Sequence, residues 1–259
     1  MSMLNGAANN RLLAALPNSD RQRIVSMLNG AADNRLLAAL PSSDRRRILA
    51  SCEPVELALA EELYTPWEPL RFIYFPISSF ISLIMPTGDS GAFEVGMVGN
   101  EGMLGISLVL GAEISPQRAV VQGAGLALRM EAAPFRRELR RNKALRGEID
   151  RYLQLRMGQL AQATICAHFH LLEARVARRL LMTQDRSRAN TFRGTHEVLA
   201  SKLGVRRVGV TEAASSLQQR RLIHYSRGDI TVLDRRGLMA AACKCYKADR
   251  ESYDRIVGQ

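Results

Sequence analysis

The chain has 259 residues, 47% of them hydrophobic and 24% charged, with 36 Lys+Arg against 25 Asp+Glu. That composition excludes a disordered or fibrous chain and suits two modest domains. No window approaches roughly 18 consecutive apolar residues, and the opening MSMLNGAANNRLLAAL lacks a basic stretch leading into an apolar core, so neither a membrane span nor a signal peptide is expected.

The net charge of +11 is unevenly placed. Residues 1–130 hold 10 basic and 12 acidic side chains, whereas 131–259 hold 26 basic and 13 acidic. A slightly acidic front and a strongly basic back suggest a sensing domain followed by a polyanion-binding one. The four cysteines, Cys52, Cys166, Cys243 and Cys245, are sparse and unevenly spaced. They fit reduced thiols in the cytoplasm better than a disulfide framework.

The chain begins with a tandem repeat. SMLNGAANNRLLAALPNSDRQRIV (2–25) is followed directly by SMLNGAADNRLLAALPSSDRRRIL (26–49), and 20 of 24 aligned positions match. Two copies are too few for a solenoid. A local duplication, or a start upstream of Met27, accounts for the near-identity. Each copy reads as a short amphipathic helix, a proline, then Ser-Asp as the cap of a second short helix. One docked copy and one redundant copy, 1–25, is the expectation.

From 50 to 130 the pattern becomes strand-like. PVELALAEELY, RFIYFP, SFISLIM, AFEVGMV and AVVQGAGLALRM are short runs rich in β-branched and aromatic residues, broken by prolines and glycines. They predict an antiparallel sandwich or barrel such as a jelly roll. Trp67, between Pro66 and Pro69, reads as a packing residue at the barrel end.

After Met130 the period changes to that of a helix. Over 131–171, a linker and one long helix, Ile149, Leu153, Met157, Leu160, Thr164, Ala167 and Leu171 recur at three- and four-residue steps. A stripe this long between two domains predicts a homodimer seam, with ordinary core packing as the alternative. A further helix is expected over 172–186.

The segment 172–246 is the most specific. Thr195 and Glu197–Leu203 read as a short helix, Gly204 as a tight turn, and about Arg206 to Gln219 as a second helix with Val210, Ala213, Ala214 and Leu217 inward. LIHYSRGDITVLD then reads as a hairpin turning at Arg227-Gly228-Asp229. Two helices around a glycine turn, followed by a hairpin wing, make a winged helix-turn-helix. Such a motif puts the N-terminal side chains of its second helix at base edges in the major groove. Here those are Arg206, Arg207, Val208, Thr211 and Glu212. Arginine can take guanine O6 and N7 together, and a threonine methyl can meet a thymine methyl. Arg193, Thr195, Lys202 and Arg227 are expected at phosphates. Residues 247–259 read as a tail.

With these residues, roughly 35–245 resembles the Crp/Fnr family of transcription regulators. Thr195-His196-Glu197-Val198-Leu199-Ala200-Ser201-Lys202-Leu203-Gly204-Val205-Arg206-Arg207 carries the likeness most closely. The resemblance implies an α+β architecture: a cyclic-nucleotide-binding-like antiparallel jelly-roll barrel, a long dimerisation helix and a C-terminal winged helix-turn-helix. It implies base contacts from Arg207, Val208, Thr211 and Glu212. The family often has glutamate where Val208 stands and arginine where Glu212 stands, so the operator is expected to differ. It also implies a phosphate-binding cassette, for which Glu101, Gly102, Arg118 and Ala119 are the matching positions. The hydroxyl expected after the arginine is absent at Ala119. A cyclic nucleotide, another small ligand, or a simple Glu101–Arg118 pair all remain open. The implied partners are double-stranded DNA, a second copy of the chain and RNA polymerase, with an unknown effector.

No cofactor or metal site is expected. Cys166 and His170 share a helix face, but His168 lies about 200° away, and Cys243-Lys244-Cys245 lacks the two-residue gap typical of zinc sites. The N-terminal cysteine cluster of the family's iron–sulfur branch is represented only by Cys52. No nucleophile elbow, P-loop or HExxH motif supports an enzyme. Two other readings stay open: a small-molecule signalling module with a vestigial DNA-binding half, and a nucleic-acid enzyme or accessory factor.

Overall fold

The computed structural model describes residues 34–87 and 92–257. The first copy of the repeat lies outside these residues, as does the expectation that it is redundant. The second copy docks through Asn34, which is wholly buried. Its amide donates to the carbonyls of Pro76 (2.9 Å) and Gly102 (3.0 Å), and its Oδ1 accepts from Leu37 N (3.1 Å), capping α1 (Arg35–Ala38). Three good bonds leave this buried amide well satisfied. Then α2 (Ser42–Leu49) begins directly after Pro41, so Ser43 and Asp44 lie in its first turn and do not cap it. The prolyl ring presets the entry dihedral without a side-chain cap.

The strand-like region forms two antiparallel sheets. The first has the order β1 (Glu53–Leu57), β7 (Gly125–Glu131), β3 (Phe72–Pro76). The second has the order β2 (Glu62–Tyr64), β6 (Arg118–Gly123), β4 (Phe80–Pro86), β5 (Ala92–Val98). Their facing side chains, among them Phe75, Ile81, Val98, Val121 and Leu128, share one core with Leu36 and Ile48 of the docked copy. A four-residue helix, α3 (Ile106–Val109), covers one end. Trp67 is 65% exposed and does not pack there, contrary to expectation, because its backbone turns outward at a left-handed φ of 67°.

The helical half starts with α4 (Ala132–Arg141) and α5 (Lys143–Phe169), separated at Asn142, whose side chain caps α5 by accepting from Leu145 N. Leu145, Ile149, Tyr152 and Leu155 of α5 lie fully in the barrel core. Ile149 therefore does not belong to an intersubunit seam. The buried face of α5 is the row Leu145, Glu148, Tyr152, Leu155, Arg156 and Cys166, and Ile149 lies at its edge, so the rest of the stripe falls to one side of that face. Leu153 is half-buried, and Met157 (71% exposed), Leu160 and Thr164 lie open, as do Phe169 and Leu171.

A second core joins α6 (Leu172–Ser187), α7 (His196–Leu203), α8 (Arg207–Gln219), α9 (Arg235–Ala241) and a small sheet in the order β8 (Thr191–Arg193), β10 (Asp229–Val232), β9 (Ile223–Ser226). The expected tail is instead a helix, α10 (Cys245–Ile256), running back along α5. Tyr253 and Val257 enter the barrel core, and the Arg35 guanidinium lies 3.9 Å from the Tyr253 ring centroid. Burying these side chains offsets the cost of ordering the segment.

Ile149→Ala is expected to lower stability by about 2–5 kcal/mol, the usual cost of truncating a buried aliphatic side chain, while leaving sedimentation unchanged. Urea unfolding with sedimentation velocity checks both.

Candidate nucleic-acid interface

Local chemistry sets the two helices of the basic half. Thr195 caps α7, its hydroxyl accepting from Val198 N at 3.2 Å. Gly204 ends α7 at φ 62°, a left-handed turn that a Cβ would strain. Val210, Ala213, Ala214 and Leu217 of α8 are buried, as their spacing requires, and Arg206, Arg207, Val208, Thr211 and Glu212 are exposed. The hairpin turns at Arg227 (φ 52°) and Gly228 (φ 90°), two successive left-handed residues, as in a type I′ turn. β8 was not foreseen: three residues with one half-buried side chain carry little pattern.

The exposed edge of α8 is tied to α7. The Arg207 guanidinium, 69% exposed, lies 3.9 Å from the Glu197 carboxylate. The Thr211 hydroxyl donates to the Arg207 carbonyl (3.1 Å) and lies 3.0 Å from His196 Nδ1. The His196 ring stacks on Tyr225 of the wing at 4.2 Å. Partial burial, and then the Arg207 charge, hold His196 below its ordinary pKa, which favours neutral imidazole in this bridge between helix and wing. Arg193 and Arg227 are exposed on β8 and at the wing turn.

Lys202 departs from expectation. Its side chain is only 12% exposed, and its ammonium donates to Gln122 of β6 and lies 4.0 Å from Glu94 of β5. It is not placed at a phosphate, because the end of α7 sits against the barrel. Burial, with Arg179 nearby, brings its pKa down to about 7.

That docking surface is ionic. Arg179 of α6 donates to Glu94 (2.9 Å), to Thr183 (2.6 Å) and toward the Met97 sulfur (2.7 Å), and Ser82 donates to the same Glu94 carboxylate. Two turns further along α6, Arg186 donates to Glu101 at 2.6 Å. Both pairs are almost entirely out of water. The phosphate cassette implied for the barrel is therefore not assembled. Glu101 serves Arg186, while Arg118 is half-exposed and pairs with Glu62 at 2.5 Å. Gly102 lies against the Tyr152 ring with no room for a Cβ, and Ala119 is buried in β6.

The thiols also depart from expectation. Cys166, His170, Cys243 and Cys245 converge, their ligand atoms all within 4.8 Å of one another. Local spacing gave Cys166 and His170 a common face, and His168 does point elsewhere. It could not show that the chain returns 75 residues later to complete the set.

A capped helix, a glycine turn, an exposed basic second helix and a hairpin wing define a DNA-binding domain. Residues 174–241 match the Crp-like helix-turn-helix domain. The chain thus carries a Crp-like, DNA-binding helix-turn-helix domain on a fold shared with Crp/Fnr regulators. FixK2 from Bradyrhizobium japonicum is 12% identical, with a TM-score of 0.63 over 74% of this chain and 98% of that one. The c-di-GMP-responsive global regulator CLP of Xanthomonas campestris is 17% identical, with a TM-score of 0.61 over 74% and 99%. A Crp-family transcriptional regulator from Thermus thermophilus is 18% identical, with a TM-score of 0.61 over 79% and 97%. At these identities the likeness shows the fold alone. No curated protein matches the sequence.

The Lys202 ammonium supplies a pH test. Its pKa falls from the ordinary 10.5 to about 7 on folding, so the unfolded chain binds more protons between those values. Its contribution therefore makes stability rise with pH from about 7 to about 10. Lys202→Met should flatten that rise relative to the parent, as read from denaturant midpoints across the range.

Proposed function

We propose that the chain acts as a homodimer that places each α8 in the major groove of double-stranded DNA. The observation that carries this is the exposed row Arg206, Arg207, Val208, Thr211 and Glu212, set over a fully buried inner face. Arg207 reads a base once its exposed pairing to Glu197 opens. The Thr211 hydroxyl is engaged with the helix backbone, which leaves its methyl for a thymine. Valine at 208 adds an apolar contact, and Glu212 accepts from a cytosine amine. Arg193, Thr195 and Arg227 hold phosphates on either side and fix the register.

The dimer forms through the outward row of α5: Leu153, Met157, Leu160 and Thr164. A cluster of large apolar side chains open to water on one helix favours self-association. Two-fold symmetry then presents two α8 helices to half-sites about one helical turn apart. The barrel is the base on which the reading head is held, and RNA polymerase is the downstream partner of the DNA complex. The free thiols suit a cytoplasmic setting. No observation favours an enzyme.

Met157→Glu with Leu160→Glu should shift the sedimenting species from dimer to monomer. An unchanged dimer would remove this row from the interface.

Arg207→Ala should weaken the selected operator about 10- to 100-fold, the worth of one bidentate guanine contact, with little change on scrambled DNA. Arg227→Ala should weaken both alike and reduce the salt slope by about one. Titrations on selected and scrambled duplexes at several salt concentrations test both. Equal losses for Arg207→Ala on the two duplexes would move the reading helix elsewhere.

A further inference from the structure

The last turn of α5, its C-cap and the connection from α9 to α10 bring three thiols and one imidazole to a point. Cys166 lies on α5, His170 caps it, Cys243 precedes α10 and Cys245 begins it. The Cys166 and Cys243 sulfurs are 3.5 Å apart, and the Cys245 sulfur is 3.4 Å from His170 Nδ1. All three thiols are buried, and none is in a disulfide. A disulfide requires sulfurs about 2.05 Å apart. A tetrahedral ion with Zn–S near 2.3 Å and Zn–N near 2.0 Å instead sets donor separations of about 3.8 Å for sulfur–sulfur and about 3.5 Å for sulfur–nitrogen. The two separations in the cluster are of that size.

The surroundings suit a charged centre. Three thiolates around a divalent cation leave one negative charge. The Arg178 guanidinium faces Cys166 and Cys243 and is itself held by Asp249. Gln162 Nε2 donates to the Cys245 sulfur at 3.0 Å, and Cys243 N reaches the Ala174 carbonyl at 3.4 Å. Metal sites require such outer contacts to orient their ligands. Three soft sulfurs and one imidazole, all closed around a single point, select zinc among the common divalent ions. An iron–sulfur cluster divides its four ligands among two or more irons and so spreads the set over a wider span.

We infer that Cys166, His170, Cys243 and Cys245 bind one zinc ion, which fastens the start of α10 to the end of α5. Each thiol gives up its proton on binding and the imidazole is neutral, so no oxidant or reductant is involved. The ion sits where the reading head leaves the long helix and fixes that junction. The inference rests on donor geometry and not on DNA binding, so it stands or falls separately from the functional reading.

The test uses the full chain purified under reducing conditions. Elemental analysis after desalting is expected to give one zinc per chain. Co²⁺ added to the metal-stripped protein should give thiolate-to-cobalt charge-transfer absorption and the visible bands of a tetrahedral site. Cys243→Ser and Cys245→Ser should each lose these bands, and Cys52→Ser should keep them. The wild-type cobalt spectrum needs no variant, so a misfolded variant does not leave the matter open. Absence of retained zinc together with a featureless or octahedral cobalt spectrum overturns the site. So does retention of the tetrahedral bands in both serine variants. A Cys166–Cys243 disulfide without bound metal, found by mass spectrometry of protein isolated without reductant, reassigns the cluster to thiol oxidation and also overturns it.

Discussion

The arrangement of the molecule depends on two carboxylates of the barrel that hold two arginines of α6. Arg179 and Arg186 are seven residues apart and so lie on one face of their helix, and Glu94 and Glu101 meet them from β5 and the loop after it. Charges buried this way contribute little net stability, because desolvation offsets most of their attraction. Losing one partner is another matter, since the remaining charge is then stranded out of water. The pairs therefore specify where the reading head rests more than they strengthen the fold. They also explain why Glu101 is taken up by Arg186 and why the Lys202 ammonium turns to the barrel, beside Glu94.

The ends of the described chain close the same body. Asn34 fixes the second repeat copy to the backbones of Pro76 and Gly102, and α10 returns along α5 to put Tyr253 into the same core. The Arg35 guanidinium over the Tyr253 ring joins the two segments directly. A cation resting on an aromatic face is a modest contact, yet here it links the two ends of the described chain.

Much of this was legible in the sequence where the signal was local. The inward row Val210, Ala213, Ala214 and Leu217 follows from helical periodicity, the wing from its Arg-Gly turn, and the strands from runs of β-branched residues between prolines and glycines. What escaped depends on distant partners. Ile149 has the spacing of a seam residue, but the barrel claims its side of α5. Lys202 has the chemistry of a phosphate contact, but Gln122 and Glu94 lie against it. Residues 247–259 look like a tail because their few apolar positions gain meaning only beside α5. The Cys166, His170, Cys243 and Cys245 set is the clearest case, since its two halves lie some 75 residues apart and neither alone makes a site.

α7 meets the wing and α8 at its N-terminal end, through His196 and Glu197, and the barrel at its C-terminal end, where Ser201 donates to the Ala92 carbonyl and Gly204 abuts Phe93. One eight-residue helix thus belongs to two surfaces at once. Substitutions at positions 201–204 therefore act first on the contact with the barrel. The outward row of α8 carries none of the docking bonds described. If α8 reads DNA as proposed, Arg207, Val208, Thr211 and Glu212 are free to change without disturbing the docking.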